Sequence, residues 1–418
     1  MVPQRYWIET LGCPKNQVDS DKLSGSFAAD GMVEAESPEQ ADVVVVNTCA
    51  FIDIAREESI DTVLQMAEVR NPDAKLVVTG CMAERYGDEL SNALPEVDQV
   101  AGFGVPVQLG KKPLSLDAGP EVPRLDLLNM TRPPSASPWA YLKIAEGCNR
   151  NCGFCAIPSF RGPQRSRSFS SLLAEVEQLQ AKEIVLIAQD LASYGSDVGA
   201  RGSITDLISA IDDMVDRVRL LYLYPSDLSD DLIDVICKTG VAYFDLSLQH
   251  VSKPLLRRMR RWGDFDRFIN RVNDIRVREP QAAFRSNFIV GYPGETEADH
   301  DLLLRFVEET QMEWASFFAY SPEEGTYAMK LDGEVPTSLR DERLAELREL
   351  QDSITAAKRA SLVGTSVQVL VDAPGVARSH REAPEIDGVI EVPTDLAVGE
   401  FHTVEITGAA GPDLTAQP

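Results

Sequence analysis

The chain has 418 residues, of which 44% are hydrophobic and 25% charged, enough for two to four folded domains of ordinary composition. Its formal net charge of −26 opposes long-range attraction to a polyanion such as RNA and favours a basic protein partner. The sequence has no run of 18 apolar residues and its opening, Met-Val-Pro-Gln-Arg-Tyr-Trp, lacks an apolar leader core. No membrane segment or secretory signal is therefore expected. A reducing, cytoplasmic setting follows, where clustered cysteines are ligands more often than disulfides. The odd count of seven cysteines also argues against a closed disulfide framework.

Residues 1–110 alternate strand and helix patterns. Arg5–Thr10, Asp42–Asn47 and Lys75–Thr79 read as strands, and Val18–Ala29 and Ala55–Val69 as helices. In the second helix Ile60, Val63, Leu64 and Ala67 form the expected apolar stripe. Continuous apolar strands alternating with helices predict a parallel α/β sheet. Each strand runs into a cysteine: Leu11-Gly12-Cys13, Asn47-Thr48-Cys49 and Thr79-Gly80-Cys81. Three cysteines past the carboxyl ends of parallel strands should converge, because ligand sites of open α/β sheets lie at that edge. Cys13, Cys49 and Cys81 are thus one candidate metal set, each also open to reading as a buried small residue. Residues 111–137 are rich in proline and polar residues and read as a linker.

From 138 to 335 the alternation resumes. Strands are expected at Trp139–Ala145, Glu183–Gln189, Arg219–Tyr224, Tyr243–Leu248, Phe284–Val290 and Trp314–Tyr320. Six such β/α units suggest a partial (β/α)6 barrel, with chemistry at the carboxyl ends of its strands. The first strand leads into Cys148-Asn149-Arg150-Asn151-Cys152-Gly153-Phe154-Cys155. A Cys-x3-Cys-x2-Cys loop can wrap a compact four-iron cluster with three thiolates, leaving one iron open to a substrate or cofactor. Structural zinc normally takes four closed ligands, and no second Cys-x2-Cys knuckle is present to supply them. Cys237 lies in an apolar helical run and reads as core. The four histidines form no ligand pattern, and Arg257, Arg258, Arg260 and Arg261 are the densest basic cluster.

Residues 336–361 read as one connecting helix from Thr337 to Ala360, capped by Thr337 or Ser338, with Leu344, Leu347, Leu350 and Ile354 as its apolar stripe. Residues 362–418 change to short strands, Ser366–Val371, Gly388–Glu391 and His402–Ile406, between Pro- and Gly-containing turns. This predicts a small β-barrel of the kind that recognises RNA or protein, with frayed final residues. From Gly364 onward two basic residues, Arg378 and Arg381, face nine acidic ones. A module gripping RNA phosphates should be basic. An acidic one suits a lysine- and arginine-rich protein.

The Cys148–Cys155 motif, the three strand-end cysteines and the terminal β-barrel together resemble the radical S-adenosylmethionine (SAM) methylthiotransferases over nearly the whole chain. Gly12-Cys13-Pro14-Lys15-Asn16, Ile187-Ala188-Gln189-Asp190, Ser193-Tyr194-Gly195, Leu248-Gln249-His250-Val251-Ser252, Tyr320-Ser321-Pro322-Glu323-Glu324-Gly325-Thr326 and the segment Arg378–Gly388 resemble the branch that modifies an aspartate β-carbon in ribosomal protein S-twelve of the small subunit. The branch acting on tRNA adenosine is the competing expectation, and a non-catalytic iron–sulfur carrier a third. Ser247 stands where the family commonly has proline.

The resemblance implies two [4Fe-4S] clusters, one on Cys148, Cys152 and Cys155 and an auxiliary one on Cys13, Cys49 and Cys81. It implies SAM both as radical source and as methyl donor, a terminal TRAM domain, and an electron donor such as flavodoxin or ferredoxin. SAM contacts are expected from Gln189 and Asp190 after the second barrel strand, Gln249 at the fourth, Arg285 on the fifth as carboxylate partner, and the Gly291 turn near adenine. Phe154 and Ile157 are expected to pack on adenine.

Overall fold

A parallel sheet of five strands opens the chain in the computed structural model, which describes residues 3–107, 126–199 and 203–418. Most of the expected linker, 111–137, lies outside the described residues. The chain divides into two units. Residues 1–134, 145–149 and 156–178 form the first; residues 135–144, 150–155 and 179–418 form the second.

In the first unit the strands are β1 (Arg5–Thr10), β2 (Val33–Glu34), β3 (Val43–Thr48), β4 (Lys75–Gly80) and β5 (Gln99–Ala101), in the spatial order β2-β1-β3-β4-β5. All neighbours run parallel. The helices are α1 (Pro14–Ala29), α2 (Asp53–Val69) and α3 (Cys81–Ala93). Every residue of β3 is buried because helices cover both faces. Val44 and Val46 pack with Val63, Met66 and Met82 on one face, whereas Val43 and Val45 pack with Leu23 and Phe27 of α1 on the other. That split is the two-residue side-chain period of a strand.

Helix α2 is where the expected face is displaced. Val63 is buried with Ser59 and Met66, but Ile60 and Leu64 are 36% and 38% exposed. The rotation follows from Ser59, whose hydroxyl donates to the Cys49 carbonyl and accepts from the Cys49 N–H, both at 3.0 Å. A satisfied buried hydroxyl thus pins the helix beside the Cys49 loop.

Beyond β6 (Trp139–Lys143), which belongs to the second unit, the chain returns to the first. There β7 (Ala145–Glu146) pairs antiparallel with β8 (Arg165–Ser166), and the short helix α4 (Ile157–Arg161) lies between them in sequence, followed by α5 (Phe169–Leu179).

The second unit continues with β9 (Glu183–Ile187), β10 (Arg217–Leu220), β11 (Tyr243–Gln249), β12 (Ala283–Val290) and β13 (Trp314–Ala319). Two parallel three-stranded sheets, β10-β9-β6 and β11-β12-β13, are bridged by Leu223 and Leu246. The result is the open, partial (β/α)6 barrel. The bridge includes the Ser247 N–H, which donates to the Leu223 carbonyl at 2.9 Å, a bond proline could not make. Helix α6 (Ser203–Asp212) follows β9; α7 (Asp230–Lys238), α8 (Lys253–Arg258), α9 (Phe265–Arg278) and α10 (Glu297–Thr310) follow in turn. Helix α11 spans Thr337–Ala360 as expected, and buries Leu344, Leu347 and Ile354. Pro336 occupies its N-cap with no side-chain cap bond, in place of the hydroxyl cap expected from Thr337 or Ser338.

The terminal barrel is closed by β14 (Ser366–Ala373), β15 (Val376–Arg378), β16 (Ile390–Glu391), β17 (Phe401–Ala410) and β18 (Asp413–Gln417), in the order β14-β15-β16-β18-β17. The frayed terminus expected from the sequence is instead a paired strand. β18 buries Leu414 and Ala416 and bonds to both β16 and β17, which closes the barrel and leaves no free edge.

This barrel is seated on the amino-terminal halves of the strands of the larger one. Glu183, first residue of β9, takes Arg219 at 2.7 Å and Arg378 of the terminal domain at 3.3 Å. Tyr243, first residue of β11, donates to Asp387 at 2.6 Å, and the Trp314 indole at the start of β13 donates to the Arg381 carbonyl at 2.7 Å. The Arg219 guanidinium also donates to the His380 and Ser379 carbonyls. Burial of so many charges is tolerated because each is paired and hydrogen-bonded.

Candidate functional site

Strand order brings the first cysteine set together. β1, β3 and β4 are adjacent, and Cys13, Cys49 and Cys81 follow their carboxyl ends. Cys13 is the N-cap of α1, where the Asn16 and Lys15 N–H groups favour its thiolate, and Cys81 is the first residue of α3. The preceding glycines are required by geometry. Gly12 has φ +95°, and a Cβ there would lie 2.9 Å from Cβ of Cys49. Gly80 has φ +89°, and its Cβ would lie 2.3 Å from Oδ1 of Asn47. Gly80→Ala is expected to cost about 3 kcal/mol, combining a strained backbone with a clash. A lower midpoint in chemical denaturation would show it.

The electrostatics confirm that the three thiols are neighbours. Burial pushes the Cys49 thiol up to about 12, and the charges that Cys81 and Cys13 would carry add to the effect. Burial likewise raises Cys81. For Cys13 burial opposes ionisation, yet Lys15, Arg161 and the N–H groups of Asn16 and Lys15 together bring its pKa below the ordinary thiol value. The donor set is all sulfur, with cationic and N–H groups facing it, which suits an iron–sulfur cluster. Among the described residues no three Cys, His, Asp or Glu side chains close around a point as they would for a single metal ion; a cubic cluster is gripped at separate corners.

Sequence reading missed Arg161. This last residue of α4 donates to Sγ of Cys81 at 3.0 Å and to Oδ1 of Asn16 at 2.7 Å, while its other terminal nitrogen reaches Glu146 at 2.9 Å and Asp19 at 3.2 Å. Nothing in the local sequence of α4 announces a contact spanning 80 residues.

The second cysteine loop is divided between the units, Cys148 in the first and Cys152, Phe154 and Cys155 in the second. The Cys148 N–H donates to the Gly162 carbonyl at 3.1 Å. In the second unit the Gly153 N–H donates to the Met259 carbonyl, and its own carbonyl accepts from Ala328, both at 2.8 Å. Arg261 donates to Sγ of Cys152 at 3.4 Å and to the Ser247 carbonyl. Arg150, inside the motif, donates to Asp190 at 2.6 Å, to Ser193 at 3.0 Å and to Asp227. The guanidinium groups of Arg150 and Arg261 each stand 4.0 Å from the Tyr224 ring centre, as cation–π pairs. Arg150, Tyr224 and Arg261 were not singled out from sequence for this role, although Arg150 lies between two of the motif cysteines.

The expected SAM contacts fall into two groups. Gln189 and Asp190 follow β9, Gln249 ends β11, and Gly291 follows β12. All four lie at carboxyl ends of barrel strands, where chemistry is expected. Asp190 is already paired with Arg150. Gln249 sits at a register shift with φ +72°, uncommon for a non-glycine residue, and the Gly291 N–H is held by Glu295 at 2.7 Å. Ile157 opens α4 in the first unit. Arg285 is placed elsewhere. It is the third of eight residues in β12, at the amino end, paired with Asp245 at 3.1 Å and with Asp387 of the terminal barrel at 3.5 Å. Strand polarity puts it in the seam between the two barrels, away from the carboxyl edge.

The basic cluster is also split. Arg258 is held by the Pro293 carbonyl and Asp332, and Arg261 turns inward, while Arg257 and Arg260 are exposed. His250 is fully buried; its Nδ1 accepts from the Ser252 N–H at 3.0 Å, and burial holds its pKa down to about 4. Cys237 on α7 is half-buried.

Residues 5–102 match the uncharacterized protein family UPF0004, residues 142–307 the radical SAM superfamily, and residues 363–418 the TRAM domain. Ribosomal protein uS12 methylthiotransferase RimO of Moorella thermoacetica is 41% identical, over 96% of both chains. The protein of the same name from Myxococcus xanthus is 39% identical, over all of this chain and 92% of that one. This chain belongs to the RimO family. Among solved structures, the radical S-adenosylmethionine methyltransferase TsrM of Kitasatospora setae has a TM-score of 0.51 at 13% identity, over 84% of this chain and 89% of that one. At that identity the likeness speaks for the fold alone. Membership in the RimO family carries SAM-dependent methylthiotransferase chemistry with an iron–sulfur cluster, and no described helix is long and apolar enough to cross a membrane.

Proposed function

We propose that this chain transfers a methylthio group to the β-carbon of an aspartate in uS12, the S-twelve protein of the small ribosomal subunit. The observation that carries this is full-length similarity to proteins named as methylthiotransferases of ribosomal protein uS12. The proposal divides the chain into an auxiliary-cluster domain (1–110), a linker (111–137), the radical SAM barrel (138–335), a connecting helix (336–361) and the TRAM domain (362–418). It places the protein in the cytoplasm, with flavodoxin or ferredoxin as electron donor.

Cys148, Cys152 and Cys155 would hold one cluster, and Cys13, Cys49 and Cys81 the second. When bound, the first supplies the electron that cleaves SAM and the second carries the sulfur that is transferred. The protein's own contribution is positional. Arg261 donates toward the Cys152 sulfur and is itself fixed by the Ser247 carbonyl. Gly153 is clamped between Met259 and Ala328, which holds the stretch between Cys152 and Cys155. Asp190, held by Arg150 and Ser193, orients the end of β9, where Gln189 can meet the amino or ribose groups of SAM. Gln249 and the Gly291 turn offer further polar contacts at the same strand ends, and Phe154 an apolar surface for adenine.

The terminal domain supports a protein substrate. Its only two basic residues, Arg378 and Arg381, are turned to the larger barrel: Arg378 is 2% exposed and paired with Glu183 and Asp372, and Arg381 bonds to Gln281. Glu385, Glu391, Asp395, Glu400 and Glu405 remain exposed. An all-acidic outer face repels RNA and attracts a basic protein. Changing Glu391, Asp395, Glu400 and Glu405 together to lysine is expected to weaken uS12 binding about tenfold at low salt, and less at high salt. Titration calorimetry at two ionic strengths would check this. Unchanged affinity at both would remove the terminal domain from substrate recognition.

A further inference from the structure

We infer that Arg161 is a positioning residue for the auxiliary site, donating to the Cys81 sulfur and so setting the charge balance and reduction potential of the cluster held by Cys13, Cys49 and Cys81. The inference rests on the proposed reading of those cysteines as ligands.

The Arg161 side chain is 3% exposed, so every N–H must find a partner inside the protein. One terminal nitrogen is taken by the carboxylates of Glu146 and Asp19, at 2.9 and 3.2 Å. An arginine serving only as a buried ion pair would be complete with those two. The other nitrogen is directed to Asn16 and, at 3.0 Å, to Sγ of Cys81. The Phe103 ring lies 4.3 Å from the guanidinium carbon and fixes its plane. Asn16 is fixed in turn, its amide donating to the Leu11 and Thr48 carbonyls at 2.8 and 3.1 Å. The direction of the N–H toward sulfur is thus set by Asn16 and Asp19 of α1, Glu146 of β7 and Phe103 after β5.

An N–H donor or positive charge at a ligand sulfur withdraws electron density from the cluster and stabilises its reduced, more negative state. Asp19 and Glu146 act in the opposite sense, since each partly neutralises the guanidinium. Arginine, unlike lysine, can serve two carboxylates and a sulfur at once, because its donors are spread in a rigid fork.

The test uses the full chain with Cys148, Cys152 and Cys155 changed to alanine, so that only the first cysteine set can bind iron. After anaerobic reconstitution, iron and sulfide content are measured, and the potential is read by redox titration followed by electron paramagnetic resonance. Arg161→Gln should shift the potential to more negative values, and Arg161→Lys should restore part of the shift. Asp19→Asn and Glu146→Gln should shift it the other way, and they carry the test if Arg161→Gln does not fold. Equal potentials in all variants would overturn the role of Arg161 while leaving the cluster site intact. Absence of iron from the parent would overturn the cysteine assignment, and this inference with it.

Discussion

Alanine at Cys148, Cys152 or Cys155 is expected to abolish SAM cleavage, whereas alanine at Cys13, Cys49 or Cys81 should leave cleavage and abolish product. On the proposed reading the two sets would hold different groups on different scaffolds: one lies in the loop after β7, the other at the edge of the amino-terminal sheet. Loss of one thiolate from a three-thiolate set removes a covalent anchor that no neighbouring residue supplies. The expected loss in each case is to the assay background. High-performance liquid chromatography of 5′-deoxyadenosine, beside mass spectrometry of uS12, separates the two phenotypes. Undiminished cleavage in the Cys152 variant would contradict the assignment of the motif.

The second large effect concerns the seam. Glu183→Gln is expected to destabilise the second unit by about 3–5 kcal/mol, the usual result of removing one partner of a buried ion pair. It would remove the carboxylate on which Arg219 and Arg378 converge, leaving Arg219 to the Ser379 and His380 carbonyls and Arg378 to Asp372. The pH dependence is specific. Burial opposes ionisation of Glu183, but Arg219, Arg378 and Arg217 outweigh it and bring its pKa to about 2. Its stabilising contribution is therefore complete above the unfolded value of roughly 4.3 and is lost as the pH falls from there toward 2. Asp387, raised to about 6 by burial, has the opposite sign: its contribution fades as the pH rises from about 4 through 6. Denaturation at pH 3, 5 and 7 should show a steep acid loss in the parent and a shallower one in Glu183→Gln. Parallel profiles would remove Glu183 as the source of that slope.

How much of this was legible in the sequence depended on range. The strands β3 and β4 were readable as valine-rich runs and β1 from Tyr6-Trp7-Ile8, each leading into Gly-Cys or Thr-Cys, and the cysteine positions followed from the strand ends. The 24 residues of α11 announced themselves by periodicity. Strands β15 and β18 did not, because three and five residues carry too little alternation to stand out from turns. The face of α2 was misjudged because a serine bound to the Cys49 backbone outranked two aliphatic residues. Arg285 was misplaced for a related reason: composition shows an arginine on a strand, but only the position along that strand decides which end of the barrel it serves. Arg161 and the Glu183 seam depend on partners 80 and 195 residues away, beyond the reach of local pattern.

The central claim is the reaction on uS12. Its most direct test is an anaerobic assay of the cluster-loaded protein with SAM and a reductant, offered uS12 and a tRNA anticodon stem-loop in separate tubes, with products read by mass spectrometry. One methylthio group in place of one hydrogen on an aspartate of uS12 is expected, with no change in the RNA. Modification of the RNA with uS12 unchanged would contradict it.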